Sequence, residues 1–289
     1  MSLFIHALLL LQQGGDVPAL PTTDPPTVRF QPWRDNYIQL GSWRSDLPEI
    51  TPAAAGGRNK DVETEFQLSF RYLFLADWLQ DVLGRETSVF AAYTTRSYWQ
   101  VWNSADSRPF RTTEHAPELV FERPLPDQDF LVRVAPIIHQ SNGEAGVVSR
   151  SWDRGYVELV WRSDDWLTGA HTVRPWEYTA AQSASAQIWW PWGGDEPEDN
   201  PDIYDYRGYG RIRYSTYFDT RFKPSVSITA GSNLGSGAEF RGAFEVDFSL
   251  TLTGLSRLHL QFFRGYGDSL LDYDQLVTRY GIGFELIPW

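Results

Sequence analysis

Hydrophobic and polar residues alternate along most of this chain with a period of two. Between Glu65 and Phe74, apolar side chains occupy every second position, and most positions between them are polar or charged. Successive side chains of a β-strand point to opposite faces, so this pattern predicts a strand with one apolar and one polar face. The same alternation recurs along residues 154–162 and 276–286, and the fold is therefore predicted to be all-β.

The lengths of the strands and of their connections indicate the kind of sheet. Long connections rich in Pro, Gly and Asp span residues 46–61, 103–113 and 191–202, whereas residues 124–127 and 164–165 predict tight turns. Strands near ten residues long, with long and short connections in alternation, are typical of outer-membrane barrels. We predict a twelve-stranded antiparallel transmembrane β-barrel, because a closed sheet leaves no strand edge unpaired in lipid. The predicted strands are 30–44, 62–76, 86–102, 114–123, 128–141, 151–163, 166–181, 203–218, 222–233, 237–252, 256–266 and 271–287.

Composition agrees with this prediction. Aromatic residues make up 15% of the chain, yet the mean hydropathy is only −0.38, as expected when lipid-facing and polar lumenal positions are averaged. The formal net charge of −12 argues against a nucleic-acid partner, and the absence of cysteine excludes a disulfide framework. We assign residues 29–289 to a single barrel domain.

The N-terminal segment leaves two interpretations open. Residues 3–11 form a short apolar run like the core of an export signal, but no basic residue precedes it, and the first arginine is Arg29. Residues 1–28 are therefore either a shortened signal remnant followed by a flexible lead-in, or an ordinary N-terminal segment.

Three residues around one predicted turn have the side chains of a serine hydrolase. His139 and Ser141 lie two residues apart near the end of the fifth predicted strand, and Asp153 begins the sixth. If a hairpin forms through residues 142–150, all three side chains lie close together on the lipid-facing side, near one rim of the barrel.

This lipid-facing side of the strand is otherwise predicted to be apolar. It includes Leu131, Ala135 and Ile137, with Arg133 as the exception. Polar groups facing lipid are costly, which favours a functional role for His139 and its neighbours. The alternative is that these polar side chains form a cluster at the rim of the barrel, where they only make hydrogen bonds to water and lipid headgroups.

In the functional interpretation, Ser141 is the nucleophile, His139 is the general base and Asp153 orients the imidazole. Gly143 could offer its backbone N–H to the developing oxyanion.

Several motifs together point to a known family. They are His139-x-Ser141-Asn142-Gly143, Ser149-Arg150-Ser151-Trp152, Phe66-Gln67-Leu68-Ser69, Tyr93-Thr94, Ser97-x-Trp99-Gln100, Pro109-Phe110-Arg111, Asp199-Asn200-Pro201-Asp202-Ile203 and Gly265-Tyr266-Gly267-x-Ser269-Leu270-x-Asp272-Tyr273. The chain resembles the outer-membrane phospholipase A family from about residue 30 to 287.

The resemblance implies a calcium-dependent barrel enzyme of the Gram-negative outer membrane. It would hydrolyse acyl esters at both glycerol positions of phospholipids and lysophospholipids. The family usually has Asn as the third catalytic residue, where this chain has Asp153.

The resemblance also implies where calcium would bind. The matching ligands are Ser149, the backbone carbonyl of Glu144, and Ser107 contributed by a partner subunit. A second family site would use Asp199, but its other aspartate position is Gly146 in this chain. Oxygen ligands of these types suit Ca²⁺.

A homodimer is the assembly that the resemblance implies. The family buries a Gln of the barrel wall at its dimer interface, and this chain has Thr95 at that position.

Two other functions remain open. One is a non-enzymatic porin or adhesion-type barrel, and the other is a soluble β-sandwich that binds carbohydrate through exposed aromatic side chains.

Overall fold

A computed structural model describes most of the chain as one antiparallel sheet. The described residues are 30–45, 59–74, 81–84, 86–126, 129–163, 182–192, 199–218, 220–233, 239–253 and 256–286. The strands are β1 (Phe30–Pro32), β2 (Tyr37–Arg44), β3 (Val62–Phe74), β4 (Ser88–Trp99), β5 (Phe110–Pro124), β6 (Phe130–Ser141), β7 (Ser151–Ser163), β8 (Gln182–Pro191), β9 (Gly210–Tyr217), β10 (Ser225–Ser232), β11 (Gly242–Thr251), β12 (Ser256–Gly265) and β13 (Val277–Leu286). A short helix, α1 (Ile203–Arg207), precedes β9. No described helix is long and apolar enough to span a membrane.

The sheet closes on itself as a barrel of twelve wall positions. Each strand from β2 to β13 pairs with its neighbours in chain order, and β13 pairs with β2 to close the ring. β1 and β2 share one wall position, because both pair with β3: Phe30 lies opposite Tyr72, and Tyr37 lies opposite Gln67. The predicted fold is thus confirmed, although the single strand predicted over residues 30–44 is interrupted.

The alternating pattern sorts side chains between lipid and lumen as predicted. On β3, Leu68 and Tyr72 are exposed on the outer face, whereas Glu63 and Glu65 are fully buried in the lumen. The guanidinium of Arg111 lies 2.9 Å from the Glu63 carboxylate, and that of Arg279 lies 2.8 Å from Glu65. Charges buried so deeply persist because each one has an oppositely charged partner.

The positions of two predicted strands require correction. The seventh predicted strand, 166–181, lies outside the described residues, and β8 at Gln182–Pro191 takes that place in the wall. The tight turn predicted at 164–165 also lies outside the described residues. The eighth predicted strand, 203–218, is also wrong at its start, where α1 forms instead.

Two smaller differences concern the length of connections. β5 begins at Phe110, so the connection predicted over 103–113 is shorter and spans 100–109. β13 begins at Val277, so the strand predicted from residue 271 is also shorter. The proposed division into a lead-in of residues 1–28 and a barrel domain of 29–289 stays a prediction, since residues 1–29 lie outside the described part of the chain.

A bulge in β6 explains the anomalous arginine of that strand. The register between β6 and β7 shifts between Ala135 and Ile138, which changes the face of every later residue. Arg133 therefore points into the lumen, where it bonds Glu122 at 2.8 Å. Leu131 and Ala135 are buried on the same inner face, so their predicted placement beside His139 is wrong. The bulge includes Pro136, which has no N–H to donate to a regular ladder.

The β12–β13 connection, residues 266–276, fills one mouth of the barrel. Asp268, Leu270 and Asp272 in it are each at most 1% exposed. Arg279 donates from Nε to Asp268 Oδ1 at 2.9 Å and ties the connection to the wall. The β6–β7 turn, where the candidate catalytic residues lie, is at this same end because every even-numbered strand ends there.

Candidate active site

The β6–β7 hairpin brings together an imidazole and a carboxylate. His139 and Asp153 are direct cross-strand partners, so their side chains share a face of the sheet. His139 Nδ1 lies 2.6 Å from Asp153 Oδ1. Both side chains are nearly half exposed, at 46% and 45%, on the outer surface of the barrel. The contact holds the ring so that Nε2 faces away from the carboxylate.

Ser141 lies on this outer face, two residues beyond His139 along β6. Its cross-strand neighbours are Ser151 on β7 and His115 on β5. Among the described residues, the Ser141 hydroxyl has no hydrogen-bond partner, so its Oγ is free to rotate toward the imidazole. The structure thus places the three predicted catalytic side chains together on the outer surface, near the rim.

Asn142 organises the turn that follows Ser141. Its side chain is 4% exposed. Its Nδ2 donates to the carbonyl of Val148 at 2.7 Å, and its Oδ1 accepts from the N–H groups of Arg150 at 2.9 Å and Glu144 at 3.3 Å. One buried amide therefore holds both sides of the 142–150 turn.

Gly143 occupies a backbone conformation that disfavours other residues. Its φ is +67°, in the left-handed region. A Cβ at this position would lie 3.9 Å from Cδ2 of His115, so space above the glycine is open. Among the described residues, its backbone N–H makes no hydrogen bond and remains available beside Ser141.

Oxygen atoms converge beside the turn. Ser149 Oγ donates to Asp199 Oδ2 at 2.9 Å, and Ser151 Oγ donates to the same oxygen at 3.2 Å. The structure thus joins Ser149 and Asp199, which the family resemblance assigned to separate calcium sites. Gly146, where the second family site has its other aspartate, offers only backbone in a turn with φ of +70°.

The donor chemistry of this cluster fits calcium. Hydroxyl, carboxylate and carbonyl oxygens are the ligands that Ca²⁺ takes in proteins. Within the described part of the chain, no group of three or more His, Cys, Asp or Glu side chains could hold a metal. A calcium site here would therefore depend on Ser149, Asp199 and backbone carbonyls such as that of Glu144, rather than on a cage of carboxylates.

Two predicted residues lie apart from this cluster. Ser107 is exposed in the 100–109 connection, with φ of +61° after a short 3-10 turn. It makes no hydrogen bond to Ser149 among the described residues. Thr95 faces outward on β4, opposite Leu68 of β3 and His115 of β5.

Sequence reasoning did not identify His115. Its Nδ1 lies 2.5 Å from the Tyr93 hydroxyl, and it lies directly across the sheet from Ser141. The two motifs that contain Tyr93 and Ser141 were both recognised in the sequence. Only the register of β5 against β6 shows that His115 lies between them.

Aromatic side chains support the hairpin from inside. Trp152, Leu270 and Tyr204 of α1 pack together in one buried cluster. Burial raises the pKa of Tyr204 to about 12, so its hydroxyl stays protonated at neutral pH and donates to the carbonyl of Asp153 at 3.4 Å. Helix α1 therefore helps to fix the start of β7.

Comparison with known proteins identifies the family of this chain. The model of the family described as phospholipase A1 matches residues 20–286. The chain belongs to the phospholipase A1 family. Phospholipase A1 of Klebsiella pneumoniae is 32% identical over 263 residues, covering 88% of this chain and 81% of that protein. Phospholipase A1 of Escherichia coli K12 is 31% identical over 262 residues, covering 88% and 80%.

Solved structures of this family share the fold. Outer membrane phospholipase A from Escherichia coli superimposes with a TM-score of 0.72 and 27% identity, covering 90% of this chain and 99% of that one. An outer membrane phospholipase dimer with bound calcium from Salmonella typhi gives 0.73 and 26%, covering 99% and 97%. The predicted family and outer-membrane location are confirmed. Membership in the phospholipase A1 family indicates an ester-hydrolysing phospholipase.

Proposed function

We propose that this chain is a calcium-dependent serine hydrolase that cleaves acyl esters of phospholipids and lysophospholipids at both glycerol positions. The observation that carries the proposal is the 2.6 Å contact between His139 and Asp153 on the outer face, beside Ser141. An oriented imidazole next to a hydroxyl is the minimal arrangement for nucleophilic acyl transfer.

Each residue has one task in the reaction. His139 takes the proton of Ser141 through Nε2 as Oγ attacks the ester carbonyl, and then delivers that proton to the leaving alcohol. Asp153 accepts a hydrogen bond from the Nδ1–H and stabilises the imidazolium. The N–H of Gly143 donates to the oxyanion of the tetrahedral intermediate. Water then attacks the acyl-enzyme by the same route, again with His139 as base.

The outward position suits a lipid substrate. Below the polar residues, Ile137 and Leu159 are exposed on the outer face, where hydrocarbon chains of the bilayer lie against the barrel wall. A phospholipid beside the wall keeps its acyl chains in this apolar layer and brings its ester linkage to the level of Ser141. The porin alternative would use the lumen instead, and residues 266–276 fill that mouth.

Calcium would bind at the rim beside the nucleophile. Ser149, the Glu144 carbonyl and Asp199 would hold it, with Ser107 of a partner subunit completing the shell. When bound, the ion supplies positive charge that stabilises a developing oxyanion.

A homodimer would cover the polar part of the outer wall. Thr95, His115 and Ser141 are successive cross-strand neighbours on the outer face. Such a polar row is unfavourable against lipid. A second copy of the chain would remove the row from lipid and bring Ser107 to the calcium ligands.

The direct test is phospholipid hydrolysis by detergent-refolded protein with calcium, with EDTA, and in the Ser141→Ala variant. Wild-type protein should hydrolyse phospholipid and lysophospholipid only with calcium, and Ser141→Ala should lose turnover. Strand content by circular dichroism should be equal in all three samples. Full activity in the variant would refute the nucleophile, and activity that persists in EDTA would remove calcium from the mechanism.

A further inference from the structure

A cavity lies inside the barrel, directly behind the hairpin that carries the candidate catalytic residues. Its volume is about 270 Å³, and its wall includes Gln140, Trp152 and Arg154. These residues alternate along β6 and β7 with the outward-facing His139 and Asp153. The same two strands therefore present ester-cleaving groups to lipid and a different set of groups to the lumen.

Three arginines of the cavity wall have no acidic partner. Both Nη atoms of Arg154 donate to the neutral Gln140 Oε1 at 3.2 Å, and Arg207 donates to the carbonyl of Gly267 at 2.6 Å. Arg211 makes no hydrogen bond to any described residue. In the described part of the chain, no carboxylate lies within 4.0 Å of these three guanidinium groups.

Other lumenal arginines are paired, which makes these three distinct. Arg213, two residues from Arg211 on the same face of β9, bonds Asp35 at 2.8 Å. Arg34 bonds Glu118 at 3.0 Å, and Arg96 bonds Glu65 at 2.6 Å. The lumen therefore supplies a carboxylate to most of its cations and leaves this cluster uncompensated.

Three carboxylates of the described residues line the cavity. Glu245 lies 3.9 Å from the guanidinium of Arg279 and more than 4.0 Å from the three arginines, whereas Glu118 and Glu114 are each held by several donors. Glu118 accepts hydrogen bonds from Trp33, Arg34 and Tyr156. Glu114 accepts from the side chain of Gln140 and from the backbone N–H of Leu270. Neither Glu118 nor Glu114 can turn toward the arginines without leaving these donors unpaired.

Aromatic rings hold two of the three guanidinium groups in place. The Arg154 guanidinium lies 3.8 Å from the centre of the Trp152 ring, and that of Arg207 lies 5.5 Å from it. The face of the indole ring attracts both cations and restrains their positions without engaging their N–H groups. Arginine stays charged under all ordinary conditions, so the cluster keeps its positive charge.

The cavity can be reached from within the barrel. A second cavity, of about 530 Å³, extends toward the opposite end as far as Lys223 and Leu286. Arg211 lines both cavities, as do Arg34 and Arg96. An anion that enters the larger cavity therefore meets Arg211 on its way to the smaller one.

We propose that Arg154, Arg207 and Arg211 form a lumenal binding site for a phosphate group. Several guanidinium forks around one tetrahedral oxyanion match the geometry in which arginine binds phosphate. The source is either inorganic phosphate or the glycerophospho group of the water-soluble product that remains when a phospholipid loses both acyl chains. The site is independent of the proposed ester hydrolysis, since it uses none of the groups assigned to that reaction.

The test measures urea unfolding of the refolded full-length protein by tryptophan fluorescence. Inorganic phosphate is titrated in EDTA at constant ionic strength, with chloride as the balancing anion, and glycerol 3-phosphate is titrated in a parallel series. Binding to the folded state should raise the free energy of unfolding with the logarithm of the anion concentration once that concentration exceeds Kd, so the titration gives a Kd for each anion. A lower Kd for glycerol 3-phosphate would identify the deacylated lipid as the source, and the reverse order would identify free phosphate.

Two variants make the test specific. Arg211→Gln removes the arginine without a structural partner, so the barrel should fold, and the Kd for phosphate obtained from the titration should rise at least tenfold. Arg264→Gln removes an equal charge from the outer face, where Arg264 bonds Thr278 at 2.8 Å, and should respond like wild type. The proposal is overturned if neither anion raises the unfolding midpoint of wild-type protein above the chloride control, or if Arg211→Gln responds as wild type does.

Discussion

The contact between His139 and Asp153 is the smallest unit on which the proposed chemistry depends. The carboxylate holds Nδ1 of the ring and leaves Nε2 without a partner among the described residues. Alternation along β6 and β7 predicted these three residues on one face, because residues two apart in a strand share a side. His115 and the contact between Ser149 and Asp199 could not be predicted, since they depend on pairing between strands and loops distant in sequence.

The role of Asp153 can be separated from its charge. Asp153→Asn should keep substantial hydrolysis, because an amide oxygen can still accept from the imidazole. Asp153→Ala should reduce kcat by about 10²-fold or more, since the ring loses its orientation. Initial rates on a short-chain phospholipid measure both. Equal rates in the alanine variant and wild type would mean that the contact is not used in catalysis.

Ser107 tests the contribution of a partner subunit to calcium binding. Ser107→Ala should raise the calcium concentration needed for half-maximal activity, because one oxygen ligand is lost. Ser104→Ala, in the same exposed connection, is the matched control and should leave the calcium titration unchanged. An unaltered titration in Ser107→Ala would refute the assignment.

Among the elements, the β6–β7 hairpin shows what local pattern can and cannot predict. Strict alternation placed both strands correctly along the chain. Because of the bulge at Pro136, residues 131–135 lie on the opposite face of the sheet from the one predicted. A one-residue shift of this kind depends on how β6 pairs with its neighbours, so the hydrophobic period within one strand does not reveal it. The position of β8 was missed for a related reason, because Ser, Ala and Gln at its positions 182–187 give little contrast between the two faces.

Asn142 is predicted to control the shape of the 142–150 turn. Asn142→Ala removes three hydrogen bonds and should lower hydrolysis on the order of 10²-fold through misplacement of Gly143 and Ser149. Asn233→Ala is a useful control, because Asn233 makes similar bonds to Glu239 and Arg241 in another connection at the same end. Hydrolysis rates and limited proteolysis of the turn report both effects. Equal losses in the two variants would point to general destabilisation instead.

At the scale of the whole molecule, the barrel separates two chemistries. The outer wall carries many exposed aromatic and aliphatic residues and a polar row that includes Ser141, and the lumen carries a dense network of ion pairs. Composition and alternation predicted this division and the number of wall positions. They could not predict which lumenal charges pair, because partners such as Glu65 and Arg279 are far apart in sequence.

Asp268 makes the stability of the barrel sensitive to acid. Burial acts to raise its pKa, but Arg279, Arg44 and Arg96 outweigh burial and hold the pKa below the usual 3.8. The stabilisation that the charged Asp268 carboxylate gives to the folded barrel is therefore complete above pH 3.8. It is lost as the pH falls from 3.8 through the lower pKa of Asp268 in the folded protein.

Asp268→Asn should accordingly lower the free energy of unfolding by about 3–5 kcal/mol at neutral pH. The difference from wild type should shrink as the pH falls below 3.8, because the carboxyl of the unfolded chain takes up a proton there while the folded protein, with its lower pKa, keeps the charged carboxylate. Urea unfolding at a series of pH values measures it. A difference that does not change with pH would mean that the carboxylate's charge is not responsible.

The account rests on Ser141 as a nucleophile activated by His139 on the lipid-facing wall. The most direct measurement is mass spectrometry of the refolded protein after reaction with a long-chain alkylsulfonyl fluoride in the presence of calcium. We predict one covalent adduct, located on Ser141, and no adduct in the His139→Ala variant. An adduct located on another residue would contradict the account. So would a protein that hydrolyses phospholipid at full rate while its Ser141 stays unmodified by an excess of the reagent.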